Sequence, residues 1–167
     1  MASTYTPIAT TTVSGTSTTT VTFSSIPSTY TDLVLISNSG SSTASDLNFE
    51  LNSDQGNKYS WTALGGNGTS AGSTRYSSQT YSGRLNWYAY QSTSNYSLVN
   101  IAHFMNYSNS TTYKTILSRS NNSALGTDAV VNLYRSTSAI TQIKLLLASN
   151  WYFLSGSTFT LYGITAA

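Results

Sequence analysis

The sequence predicts an all-β protein: a single antiparallel β-sandwich with jelly-roll-like wiring. Three observations lead there. Apolar residues recur with period two in many short runs, the pattern of half-buried strands rather than of helices. Clusters of Gly, Asn, Asp and Ser separate those runs at fairly regular intervals, as turns between antiparallel strands do. About a third of the 167 residues are Ser or Thr and 13 are Tyr, while charged residues make up only 7%. A hydrophobic share of 39% and an aromatic share of 13% supply enough apolar surface for one core.

Residues 1–20 stand apart as an extended N-terminal arm or a first edge strand, and residues 21–167 form the sandwich domain. Pro7 fixes an extended backbone, and the threonines at 10–12 are β-branched. Next, Val21 and Phe23 share one side of a strand, and Ile26-Pro27-Ser28 turns the chain into Leu33-Val34-Leu35-Ile36, which reads as a strand buried on both faces. Phe49 and Leu51 alternate with Asn48, Glu50 and Asn52. Tyr59, Trp61 and Ala63 alternate with Ser60 and Thr62. The Ser-rich stretch 70–82 is expected to be the longest loop. Leu85, Trp87 and Ala89 predict a further strand, and Val99, Ile101, Met105 and Tyr107 another with those residues inward. The same rule puts Tyr113, Thr115 and Leu117, and then Val131 and Leu133, on the core side. Ile143, Leu145 and Leu147 face one way with Gln142 and Lys144 opposite, and Phe159 and Leu161 close the pattern. About eight strands fit this length as a jelly roll.

Composition excludes several functions. A net charge of +2 is too weak a field to hold a nucleic acid by counterion release, and the pI near 8.8 reflects how few groups titrate. No run approaches the roughly 18 to 20 apolar residues of a membrane span. The first dozen residues lack the basic and apolar regions of a secretory signal, so the sequons at Asn67, Asn95, Asn106, Asn109 and Asn121 are expected to stay unmodified. The absence of cysteine removes disulfides, thiol nucleophiles and thiolate metal sites.

The residues that look chemical have simpler readings. Gly68-Thr69-Ser70-Ala71-Gly72 matches the nucleophile-elbow spacing, but no helical pattern follows Ser70, so a turn is expected. His103 is the one histidine; its phase with Val99, Ile101 and Met105 predicts a neutral imidazole in or near the core. Asp46, Glu50 and Asp54 lie close in sequence, but their spacing fits no calcium loop. No catalytic, cofactor or metal residue is assigned. Trp61, Trp87 and Trp151 suit a core or interface, with sugar stacking as the alternative.

Five segments together resemble a known module. They are Tyr5-Thr6-Pro7-Ile8-Ala9, the run from Phe23 to Leu33, Thr115-Ile116-Leu117-Ser118-Arg119-Ser120, Ser136-Thr137-Ser138-Ala139-Ile140-Thr141, and the ending from Ser155 to Ile164. They are similar to a small β-sandwich module of tailed-phage virion proteins, found in phages of cyanobacteria and other marine bacteria, both as separate proteins and at fibre ends. The resemblance spans almost the whole chain and implies a non-enzymatic structural protein of the virion, assembled in the host cytoplasm. A capsid decoration or cement protein bound on the outer capsid surface is the first expectation, since the sequence opens on its own Met1 without a fibre shaft. A tail-fibre tip or receptor-binding module that recognises cell-surface glycan is the alternative. The implied partners are the major capsid protein or another virion protein, and further copies of the chain. A homotrimer is expected from local three-fold positions, with Tyr5, Pro7 and Ile8 as candidate assembly contacts. Neither nucleic acid nor membrane is an expected partner.

Overall fold

A computed structural model describes residues 4–91, 93, 98–149 and 151–165. Met1 and the Asn95 sequon lie outside the described residues. The described residues form twelve strands: β1 (Tyr5–Thr12), β2 (Thr20–Phe23), β3 (Asp32–Ser39), β4 (Leu47–Leu51), β5 (Tyr59–Gly66), β6 (Ala71–Gln79), β7 (Gly83–Arg84), β8 (Leu98–Met105), β9 (Lys114–Asn122), β10 (Gly126–Tyr134), β11 (Ile143–Leu147) and β12 (Thr158–Ile164). They form an eight-stranded sheet, β1-β12-β3-β8-β9-β10-β5-β6, and a four-stranded sheet, β2-β11-β4-β7. All ladders are antiparallel.

The wiring explains the lopsided count. β1-β12-β3-β8 in one sheet and β2-β11-β4-β7 in the other make the double Greek key of a jelly roll, the chain changing sheets at each step. The remaining four strands enter as hairpins β5–β6 and β9–β10, and both extend the same sheet. The main core fills the jelly-roll half. Leu33, Leu35, Phe104, Phe159 and Leu161 of the large sheet meet Val21, Phe23, Phe49, Leu51, Ile143 and Leu145 of the small one.

Beyond that half, a different element covers the large sheet. The segment from Gly83 to Gln91 lies against the inner faces of β8, β9 and β10, and its backbone needs partners there. The inner face supplies them. Asn100, Ser118 and Ser120 all donate to the Leu85 carbonyl, at 3.1, 2.8 and 2.8 Å. Asn132 accepts from the Arg84 N–H at 2.9 Å and donates to its carbonyl at 2.8 Å. The Asp128 carboxylate accepts the N–H groups of Trp87, Tyr88 and Ala89 at 2.7, 2.6 and 2.7 Å.

The structure corrects four expectations from the sequence. The inward residues of β8 are Leu98, Asn100, Ala102 and Phe104, so Val99, Ile101, His103 and Met105 face outward, one residue out of phase with the prediction. In β9 and β10 the inward set is Lys114, Ile116, Ser118, Ser120 and Asn122, then Asp128, Val130, Asn132 and Tyr134; Thr115, Leu117, Val131 and Leu133 lie outside. Residues 70–82 are not a loop, because β6 occupies most of them. Residues 85–89 are not a strand: Leu85, Asn86 and Ala89 are all buried, and apart from the Leu85 N–H, which donates to the Leu47 carbonyl, the Leu85 carbonyl and both backbone groups of Ala89 bond to side chains. At the N-terminus, Tyr5–Thr12 pairs with β12 as an edge strand of its own sandwich, with a bulge at Ile8 between Pro7 and Ala9.

Candidate interaction surface

The one-residue shift in β8, β9 and β10 has a chemical result: the outer face of the large sheet is apolar at its centre. Cross-strand register builds it in rows. One row runs Val34, His103, Leu117, Val131, Thr62. The next runs Ile36, Ile101, Arg119, Ala129, Leu64, and a third runs Met105, Thr115, Leu133, Ser60. Leu64 is 59% exposed, Val131 48% and Val99 44%. Five strands at about 4.8 Å spacing and about five residues along each give a patch of roughly 300 Å² in plan. That extent, apolar apart from His103, Arg119, Thr115, Thr62 and Ser60, matches the largest patch of an ordinary soluble protein, which often serves as a contact. Where β10, β5 and β6 twist, the face hollows into a concavity of about 490 Å³ lined by Thr62, Arg75, Tyr76, Val131 and Leu133.

The charges on this face are one-sided. Arg75 on β6, Arg119 on β9 and Arg135 just past β10 share the outer face. Among the described residues none of the three has a carboxylate partner; Arg135 instead donates to the Ser60 hydroxyl at 2.9 Å. Asp32 is the carboxylate on this face, occupied by the Asn106 N–H and 3.3 Å from His103 Nε2. The other acids are committed elsewhere. Asp46 pairs with Arg84, Glu50 with Lys144 at 3.2 Å, Asp54 with Lys58 at 2.6 Å, and Asp128 holds the buried segment.

The candidate residues named from sequence scatter over the molecule. Tyr5 is exposed and meets Tyr162 edge-on at 6.2 Å, Pro7 lies beside it, and Ile8 packs partly against the core. These three sit on the β1 edge, away from the apolar centre. Ser70 closes the β5–β6 turn, where the Asn67 carboxamide oxygen accepts the N–H groups of Thr69 and Ser70 at 3.1 and 2.8 Å. His103 is partly exposed on the outer face, not in the core. Asp46, Glu50 and Asp54 each have a separate cation, and among the described residues no group of acids, His or Cys could hold a metal.

The three tryptophans part company. Trp61 is buried on the inner face of β5, Trp87 packs beside it, and Trp151 is exposed. Trp61 and Tyr76 meet at 4.8 Å between ring centroids, and the Arg84 guanidinium lies 5.0 Å over Trp61. Burial pulls the Arg84 pKa down. Together with Asp46, Asn48 and Gln79 these groups line a cleft of about 300 Å³ between β6 and the β4–β7 edge, on the side opposite the apolar centre.

A second polar cluster supports the end of the sandwich. Tyr59 and Tyr134 stack at 5.0 Å, and the Tyr134 hydroxyl donates to Asp54 at 2.7 Å. Burial pushes both phenols up from their ordinary value. At Asp54 burial also pushes upward, but hydrogen bonds from Lys58, Gly56 and Tyr134 outweigh it and hold the carboxyl below its usual range. Lys114 was missed in the sequence: it is buried on the inner face, its ammonium donates to the Thr112 and Thr137 carbonyls at 2.7 and 3.1 Å, and burial lowers its pKa.

Comparison with protein-family models, with curated proteins and with solved structures gives no match, so a functional reading of this chain rests on its own sequence and geometry.

Proposed function

We propose that the chain is a non-catalytic structural protein of a tailed-phage virion, a decoration or cement protein held on the outer capsid surface. One observation carries this reading beyond the sequence resemblance: the broad outer face of the large sheet, largely apolar, with Arg119 set within it and Arg75 and Arg135 at its margin. A face of that kind suits adhesion to another protein. Low charge over the rest of the molecule limits repulsion between closely spaced copies, which favours a crowded shell and closed, symmetric association such as a trimer. Quantitative mass spectrometry of purified particles tests the reading. Copies on the order of hundreds per particle fit the capsid, while a few tens or fewer place the chain in the tail. Its absence from particles refutes a virion role.

A second reading follows from the cleft of about 300 Å³ between β6 and the β4–β7 edge. Tyr76, 51% exposed, offers a ring toward it, and Asn48, Gln79 and the Asp46–Arg84 pair offer amides and charges that hydroxyl groups bond well. That chemistry suits a glycan and favours a receptor-binding tail module. Titration with neutral oligosaccharides, read by loss of Trp fluorescence change in Tyr76→Ala, separates this reading from the first.

A further inference from the structure

We infer that the outer face of the eight-stranded sheet docks onto an acidic surface of a different protein, with apolar side chains at the centre of the contact and carboxylates opposite Arg75, Arg119 and Arg135. This deepens the virion reading and rests on it, by naming the face used and the chemistry of the partner. Size is the first argument. Seven strand spacings of about 4.8 Å by strands of about eight residues give the whole face roughly 850 Å², close to the roughly 800 Å² that one partner contributes to a standard interface. Its anatomy is the second: apolar side chains surround Arg119, Arg75 and Arg135 lie at the margin, and Arg, not Lys, carries the charge.

Charge decides the occupant. Among the described residues all three arginines lack a carboxylate partner, and Arg75 and Arg119 lie three strand spacings and two residues apart, about 16 Å. Partner carboxylates at similar spacing would complete bidentate pairs with them. A second copy meeting through the same face cannot supply them. Each copy offers three arginines and only Asp32, because Asp46, Glu50, Asp54 and Asp128 are committed away from this face. Like-charge juxtaposition would oppose that dimer. A nucleic acid would leave the central Ile101, Leu117 and Val131 facing phosphates, with too few cations to compensate.

The test is site-specific photo-crosslinking during infection, in whole cells and in purified particles. A benzophenone amino acid is placed at Leu117, at Val131 or, as a control on the opposite sheet, at exposed Thr22. The expected result is one conjugate from both Leu117 and Val131, to a polypeptide other than this chain, at a segment carrying at least two Asp or Glu residues, with none from Thr22. Arg75→Glu with Arg119→Glu should cut its yield at least tenfold without moving the thermal midpoint, and Asp→Lys changes in the contacted segment should restore it. A conjugate to a second copy, to nucleic acid, to a segment without acids, or from Thr22 alone overturns the inference. So does no conjugate at all, or a yield that the double charge reversal leaves unchanged. The two readings fail separately. The chain in particles without an outer-face conjugate refutes the docking face, whereas a mapped acidic conjugate in cells with no chain in particles refutes the virion role.

Discussion

Asp128 acts chiefly as an acceptor: three backbone N–H groups lie within 2.7 Å of its carboxylate, which is itself buried. Removing it strands three donors, that of Ala89 fully buried, and charge-assisted bonds of this kind are costly to lose. Asp128→Ala should lower unfolding free energy by about 3–5 kcal/mol in urea titration. Gly65→Ala should weaken the same clasp, since a methyl group there would collide with Asp128 and with the Tyr88 ring. Asp54 sets an acid limit. Its unfolded carboxyl titrates near 3.8 and its folded one lower, so the stability it adds is complete above that value and is lost as pH falls through the folded pKa. Asp54→Asn should remove this part of the slope when unfolding is followed from about pH 6 to about pH 2. Tyr59 and Tyr134 act at the other end: their raised folded values add stability below 10.0 that is lost as pH climbs beyond it. His103→Gln, on the outer face, should change stability by no more than about 0.5 kcal/mol, in contrast to the larger loss its predicted core position would have implied.

Individual strands explain what could and could not be read from the chain. Val21 with Phe23, Phe49 with Leu51, and Ile143 with Leu145 were legible because each has one apolar and one polar face, and the apolar face meets the other sheet. β8 and β10 carry apolar residues on both faces, so periodicity gave no phase; what fixes it is the polar demand of the segment from Gly83 to Gln91, which lies far away in sequence. β6 read as a loop because an edge strand with no sheet across it alternates in nothing. The same ambiguity of phase conceals the outer apolar face, although Leu117, Val131 and Leu133 are plain in the sequence. β1 is an element of the fold, with Ile8 turned toward the core and its ladder running from Tyr5 to Thr12. Deleting residues 4–9 should therefore lower the thermal midpoint before it affects attachment to particles. Differential scanning calorimetry beside a particle-binding assay checks the order.

At the scale of the molecule, the jelly roll supplies stability, and the two inserted hairpins extend β3 and β8 into the face that we propose as the contact. The two functions are separable. Leu117→Asp adds a charge where water already reaches and should leave the unfolding free energy within about 1 kcal/mol, while Leu35→Asp buries a lone carboxylate in the core and should prevent folding. Soluble expression with circular dichroism distinguishes them. The position of β12 between β1 and β3 has a further consequence, for the order of events during synthesis. Residues 158–164 must leave the ribosome before β1 has a partner and before the open edge of β3 is covered. The hairpins β5–β6 and β9–β10, closed by short turns, can form while the chain is still growing; the sandwich cannot. A nascent chain stalled before Thr158 should therefore remain protease-sensitive at both Leu33 and Ile8, and become resistant only when the last strand slides into the gap that its two neighbours leave for it.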